Sequence, residues 1–323
     1  MVLGGLAVAV VVLFAGNVLL GTYTVTIPDF VRIVSGETIP GASFIVLENK
    51  LPRAVLAVLV GAAFGVAGAV FQTLLRNPLA SPDVIGISMG ASAAAVVGIA
   101  FLGVSGLALQ GFSIAGSLLV AAAIALLSRR GDVAGHRLVL VGIGLAAALQ
   151  AVTSWVLTRT DIHVAAEALV WLNGSLNNAT WGRVRTLALL LLVLLPAAAV
   201  AARRLPALEL GEEAAVGLGV HPLRGRLALL LVATTLAAAG TAAAGPVAFV
   251  AFLSGPIARR LLRGRVSLPA AALVGAVVVL AAEFAAVNAV PGSALPVGVV
   301  TGLLGGPFLL WLLATANRVG RGG

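Results

Sequence analysis

The chain has 323 residues, of which 61% are hydrophobic and 10% charged, and its mean hydropathy of +1.15 implies more apolar surface than a soluble core can hide. The net charge of +9 sits in short arginine clusters between apolar runs without interleaved aromatics, a pattern that fits membrane topology and not nucleic-acid binding. With no Cys, disulfides and thiolate metal sites are excluded; with Lys50 as the only lysine, and no G-x-x-x-x-G-K-[ST] loop around it, any ATP-driven work needs a partner chain.

Residues 2–20 form the first apolar run. It lacks a basic leader and no small-residue cleavage site follows, so it reads as a membrane helix rather than a signal peptide. Residues 23–53 are long enough for a small irregular cap. The uncharged run 54–75 can cross a bilayer core as a helix, and it ends in the polar knot Arg76-Asn77-Pro78-Leu79-Ala80-Ser81-Pro82-Asp83, where two prolines break the chain. Further apolar runs cover 84–104, 112–127, 138–157, 187–202, 227–244, 247–262, 268–290 and 295–313. The expected fold class is therefore all-α: a polytopic membrane protein with about ten transmembrane helices in a single domain, 1–323.

Ten crossings place both termini on one side. That side then collects fourteen arginines against six basic residues on the other, which puts the termini and the 76–83 knot in the cytoplasm. Glycines recur at helix-packing spacing: Gly61, Gly65 and Gly68; Gly86 and Gly90; Gly142 and Gly144; Gly302 to Gly306. Close helix approach explains them, with a pathway role left open. The cytoplasmic loop 205–222 carries Leu208, Leu210, Ala214, Ala215 and Leu218 beside Glu209, Glu212 and Glu213, broken by Gly211, Gly217 and Gly219. It reads as two short surface helices, either a docking element or a plain interfacial connector. In the external loop 161–181, Trp171 and Trp181 stand at interface depth.

Chemistry was sought in the same loops. His163 and Glu167 share a helix face near Asp161, but two ligands underfill a zinc site, and His136 and His221 lie on the opposite side. Ser88 and Ser92 sit in a Gly- and Ala-rich helix with no paired base, so an intramembrane hydrolase has no support. Only Glu283 lies well inside an apolar run, nearer its external end, which makes ion coupling a weak alternative.

Several segments resemble one family: Leu51-Pro52-Arg53, Gly61-Ala62-Ala63, Gln72, Asn77-Pro78-Leu79-Ala80, Pro82-Asp83, Gly86 and Gly90-Ala91. The likeness continues through Trp171-Leu172-Asn173-Gly174-Ser175, Leu210-Gly211 to Leu218-Gly219, Gly245 to Val250, Leu295-Pro296-Val297-Gly298 and Gly305 to Phe308. These pieces resemble the FecCD-type permeases, which are similar to vitamin B12 permeases and serve as membrane subunits of bacterial type II ABC importers for ferric siderophores, haem and B12. The resemblance implies ten helices per subunit in the cytoplasmic (inner) membrane, two permease subunits around a pathway, two cytoplasmic ATPases that bind ATP and magnesium, and an extracytoplasmic binding protein. The chain itself would be no enzyme and would hold no cofactor or metal.

By matching position, Lys50 and Arg53 would meet acidic residues of the binding protein, with Lys50 standing where arginine is common. Leu210, Gly211, Glu212, Ala215, Leu218 and Gly219 would be the ATPase coupling element, and Gln72, Asn77, Leu79, Gly135 and His136 would lie along the gate and pathway. The variant Gly255-Pro256-Ile257-Ala258-Arg259 and the tail 309–323 look most like the enterobactin-type branch, which pairs two different permeases; a homodimer stays open. Val287 falls where some members place a third external arginine. The implied function is ATP-driven ferric-siderophore import. Haem or B12 import, or a self-sufficient secondary transporter, are the alternatives.

Overall fold

The computed structural model describes residues 1–128, 134–289 and 295–319, and every regular element among them is helical. Helix α1 (Val2–Leu19) is followed by α2 (Ile27–Val34) and the single turn α3 (Ala42–Phe44), which continues through wide turns at Ile45–Lys50 into α4 (Leu51–Leu74). Next come α5 (Ile87–Leu102), α6 (Gly106–Leu127), α7 (Ala134–Arg159) and the short α8 (Ile162–Leu172). Helix α9 (Trp181–Ala202) leads to the pair α10 (Leu205–Glu209) and α11 (Glu212–Gly217). The chain finishes with α12 (Pro222–Ala244), α13 (Val250–Leu261), α14 (Leu268–Asn288) and α15 (Val297–Val319).

Each apolar run of the sequence falls on a helix. Among the described residues, seven are long and apolar enough to cross a membrane: α1, the unit Ala42–Leu74, and α6, α7, α9, α12 and α14. Helices α5 and α13 have 16 and 12 residues. At 1.5 Å per residue they reach about 24 Å and about 18 Å, short of the ~30 Å hydrocarbon core. Protein covers the irregular backbone that leads into them, which is what a membrane interior requires. Ala80, Ser81 and Ile85 before α5, and Gly245 and Val247 before α13, are all buried.

Helix α4 is the hub, packed on α14, α12, α13 and α9. Its glycines make this packing possible. A Cβ on Gly61 or Gly65 would land on the α14 backbone at Gly275–Ala276 or Ala271, and one on Gly68 on the α13 backbone at Ala251. Gly90 and Gly116 bring α5 against α6 in the same way. Gly144 of α7 and Gly302 and Gly306 of α15 differ, since among the described residues a Cβ on any of them would meet no neighbouring atom within 4 Å.

The cap at 23–53 is more ordered than the sequence expectation of an irregular segment. Thr26 caps α2 by accepting from the Asp29 N–H at 3.3 Å, and Val25, Ile33, Ala42 and Val46 bury a small core of their own. The segment's polarity conceals this, because only every third or fourth residue faces inward. Several helices also begin before their apolar runs do: α9 starts at Trp181 and takes Arg183 and Arg185 into its first turns. A hydropathy run cannot register such amphipathic ends.

Candidate functional site

The polar chemistry of the described residues gathers at the two ends of α4. At the N-terminal end, Arg53 forms an ion pair with Glu283 of α14 and donates a hydrogen bond to the Asn177 side chain in the loop before α9. Glu283 is 1% exposed, and the Arg53 guanidinium is what offsets its desolvation. Lys50 is spent on backbone: its Nζ donates to the carbonyls of Val18, Leu20 and Tyr23 at 3.1, 2.8 and 2.6 Å, closing the end of α1. Both cations line a cavity of about 270 Å³ with Asn17, Tyr23, Glu283 and Val287. The carboxylate inside the apolar run and the cation matched to docking residues are thus one structural pair, joined by nothing local in the sequence.

Three segments quoted separately from the sequence converge beside this pair. The Ser175 N–H donates to the Ala244 carbonyl at 2.8 Å, and the Gly298 N–H to the Gly174 carbonyl at 3.0 Å. Gly174 and Gly245 take φ of +64° and +75°, and a Cβ on either would strike the other strand of this junction, so glycine is required at both. Topology alone signalled the meeting, since all three loops fall on one side by helix alternation.

At the opposite end, α4 stops where Arg76 adopts φ +49°, with the Arg76 N–H on the Thr73 carbonyl at 3.3 Å and the Asn77 N–H on the Gln72 carbonyl at 3.1 Å. This is a helix C-terminal motif that usually uses glycine. Asn77 closes the next turn by accepting from the Leu79 N–H at 2.9 Å. Gln72 is 1% exposed, and its Nε2 donates to the Phe252 carbonyl at 3.0 Å. Pro256 has no N–H to give that carbonyl, four residues away in α13, so Gln72 replaces the missing helical bond. A Cβ at position 255 would overlap the Gln72 side chain, which accounts for Gly255-Pro256 as a matched pair. Asp83 accepts from the Ser88 hydroxyl, and burial pushes its carboxyl up to about 6.

The loop 205–222 forms the expected pair of short helices, α10 and α11. Its residues divide by direction. Leu205, Leu208 and Ala215 are buried in the main core, while Leu210 and Leu218 are 70% and 63% exposed and Val216 stands out beside them. Gly211 and Gly219, at φ +113° and +77°, bound α11 with turns that other residues rarely adopt. Gly135 and His136 belong to the first turn of α7, but their side chains, and that of Glu212, lie outside the described residues. Asp161 serves as the N-cap of α8, accepting from the His163 N–H at 2.9 Å.

A hub helix wrapped by membrane-crossing neighbours, with buried polar side chains used to join helices and an apolar helix pair exposed at one end, defines a polytopic helical membrane protein of the transport-permease class. The chain belongs to the FecCD transport family, whose model matches residues 8–315. It is 39% identical over 299 residues to the ferric enterobactin transport system permease protein FepG of Escherichia coli (strain K12), covering 92% of this chain and 91% of that one. To the Fe(3+)-citrate import system permease protein YfmE of Bacillus subtilis (strain 168) it is 37% identical, over 85% and 83% of the two chains. The hemin transport system permease protein HmuU of Yersinia pestis is 34% identical, over 97% and 95%. A solved inward-facing structure of a metal-chelate type ABC transporter shares the fold at a TM-score of 0.82 and 24% identity, over 97% of this chain and 98% of that one.

Proposed function

We propose that the protein is the membrane-spanning permease subunit of an ATP-driven importer that moves ferric siderophore across the bacterial cytoplasmic membrane by alternating access, with both termini cytoplasmic. The observation that carries this reading is similarity along nearly the whole chain to permeases named for iron chelates, at 39% and 37% identity. Identity to the hemin permease is lower, at 34%, which favours a siderophore over haem as the cargo. The cargo would arrive chelated, as the ferric enterobactin and Fe(3+)-citrate in the names of these relatives suggest.

The partners follow from what the chain exposes and lacks. Two ATPase subunits, supplying ATP and magnesium chemistry, would seat on α10 and α11 through exposed Leu210 and Leu218, with Gly211 and Gly219 setting the turns and Ala215 the buried footing. A second permease would pack on α7 and α15, where Gly144, Gly302 and Gly306 leave room for close helix approach. FepG and FepD of E. coli, both named for ferric enterobactin, are 39% and 34% identical to this chain, which favours a paralogous pair. The extracytoplasmic binding protein would dock around Lys50 and Arg53. Asn77 and Leu79, with Gly135 and His136, would form the gate, and Gln72 would pin α4 to α13 beside it.

Reconstitution in liposomes with the ATPase, a second permease and the binding protein tests the reading. ATP-dependent uptake of radiolabelled ferric enterobactin is expected. Uptake by this chain alone, without the ATPase, overturns it in favour of a secondary transporter.

A further inference from the structure

The knot between α4 and α5 contains a cation to which neither the sequence nor the family resemblance gives a role. The Arg76 guanidinium crosses to the α10–α11 pair, and one nitrogen donates to the carbonyls of Leu208 at 3.0 Å and Glu209 at 2.7 Å. These are the last two carbonyls of α10, and that of Leu208 also accepts from the Gly211 N–H at 3.4 Å. Arg76 occupies the left-handed position that ends α4, so the side chain departs at the point where the hub helix stops. The turn just before it grips α13 twice. Thr73 accepts from the Arg259 guanidinium, and Gln72 donates to the Phe252 carbonyl at 3.0 Å. Thr73 also donates to the Ala69 carbonyl at 2.7 Å, which ties this contact into α4 itself.

We propose that Arg76 is a positioning residue that carries displacement of α10 into α4 and, through Thr73 and Gln72, into α13. The proposal rests on the importer reading above. Its physical basis is that α10 has two faces. Leu205 and Leu208 hold it in the core, Leu210 beyond its end is open to a partner, and Arg76 is the charged strut between its carbonyl end and the hub. A charge-assisted bond to two carbonyls resists both translation and rotation of the short helix against α4. A partner that shifts α10 therefore moves the end of α4 with it.

The test uses the whole reconstituted complex and reads two quantities, ATP turnover and uptake of radiolabelled ferric enterobactin. Arg76→Ala is expected to assemble and to hydrolyse ATP within about twofold of wild type, while uptake per ATP falls at least about tenfold, the change expected on losing the charge-assisted hydrogen bonds to two carbonyls. Arg76→Lys, which keeps a cationic donor, is expected to restore most of the coupling. Unchanged uptake per ATP in Arg76→Ala overturns the proposal. So does loss of assembly in Arg76→Ala, Arg76→Gln and Arg76→Lys alike, which marks an anchor and nothing more. A wild-type complex that takes up nothing on ATP addition overturns the importer reading and this inference together.

Discussion

The two ends of α4 treat their chemistry in opposite ways. At the N-terminal end the cations are turned inward: Lys50 closes three carbonyls, and Arg53 neutralises a carboxylate that is 1% exposed. At the other end apolar side chains are turned outward, with Leu210 70% exposed and Leu218 63% exposed. Charge is already committed within the fold at one end, while at the other an apolar surface is open. On the proposed function, a partner at the first end would have to exchange bonds the chain already holds, and a partner at the second would bury area the chain now exposes.

The largest effect that could break this contrast is expected at the exposed pair. Leu210→Asp with Leu218→Asp should weaken ATPase association by at least ~100-fold, since it removes two apolar anchors and asks two carboxylates to be buried. Co-purification measures it, and retained association would show that the helix pair is not the seat. Next comes the ion pair. Glu283→Ala leaves Arg53 unpaired and should lower unfolding stability by about 3–5 kcal/mol, whereas Arg53→Leu with Glu283→Leu should recover most of that loss. Thermal unfolding of the purified protein reads this; a double variant no better than the single would end the claim that pairing matters.

Docking predicts a smaller change. Lys50→Gln, whose amide N–H can still donate to the carbonyls at the end of α1, should weaken binding-protein association ~5-fold at low salt, about 1 kcal/mol for a partly exposed charge contact, and the difference should vanish as salt rises. Arg53→Glu is a poor probe of docking, because it sets a second carboxylate against Glu283 and damages the fold.

A pH-dependent effect is expected at Asp83, whose folded carboxyl burial pushes up to about 6. The unfolded value is about 3.9, so the stability that the neutral carboxyl contributes is fully present below about pH 4 and is lost as pH rises through 6. Asp83→Asn should therefore raise the melting temperature a few degrees at about pH 8 and change it little at about pH 4. An equal shift at both pH values would contradict this sign.

Much of this architecture was legible in the sequence. Runs such as 54–75 and 268–290 announce membrane helices because apolar length with at most a lone charge is the direct requirement of a bilayer, and α4 and α14 fall where those runs lie. The two helices of the 205–222 loop were legible from apolar spacing interrupted by Gly211 and Gly219. The Arg53–Glu283 pair was not, because its members stand 230 positions apart and neither neighbourhood hints at the other. The Gln72–Pro256 match was hidden in the same way: a proline frees a carbonyl four residues earlier, and nothing local says which side chain will fill it.

From its sequence alone the chain reads as an all-helical membrane protein, with its charges sorted by side and glycines spaced for close packing. Those properties follow from composition and periodicity, which each segment carries within itself. Only the tertiary structure decided which glycines meet backbone and which face open space, that Lys50 and Arg53 are occupied, and that Arg76 reaches α10. Each of these is a contact between helices distant in sequence, and the bilayer that demands helices does not dictate which of their side chains find one another.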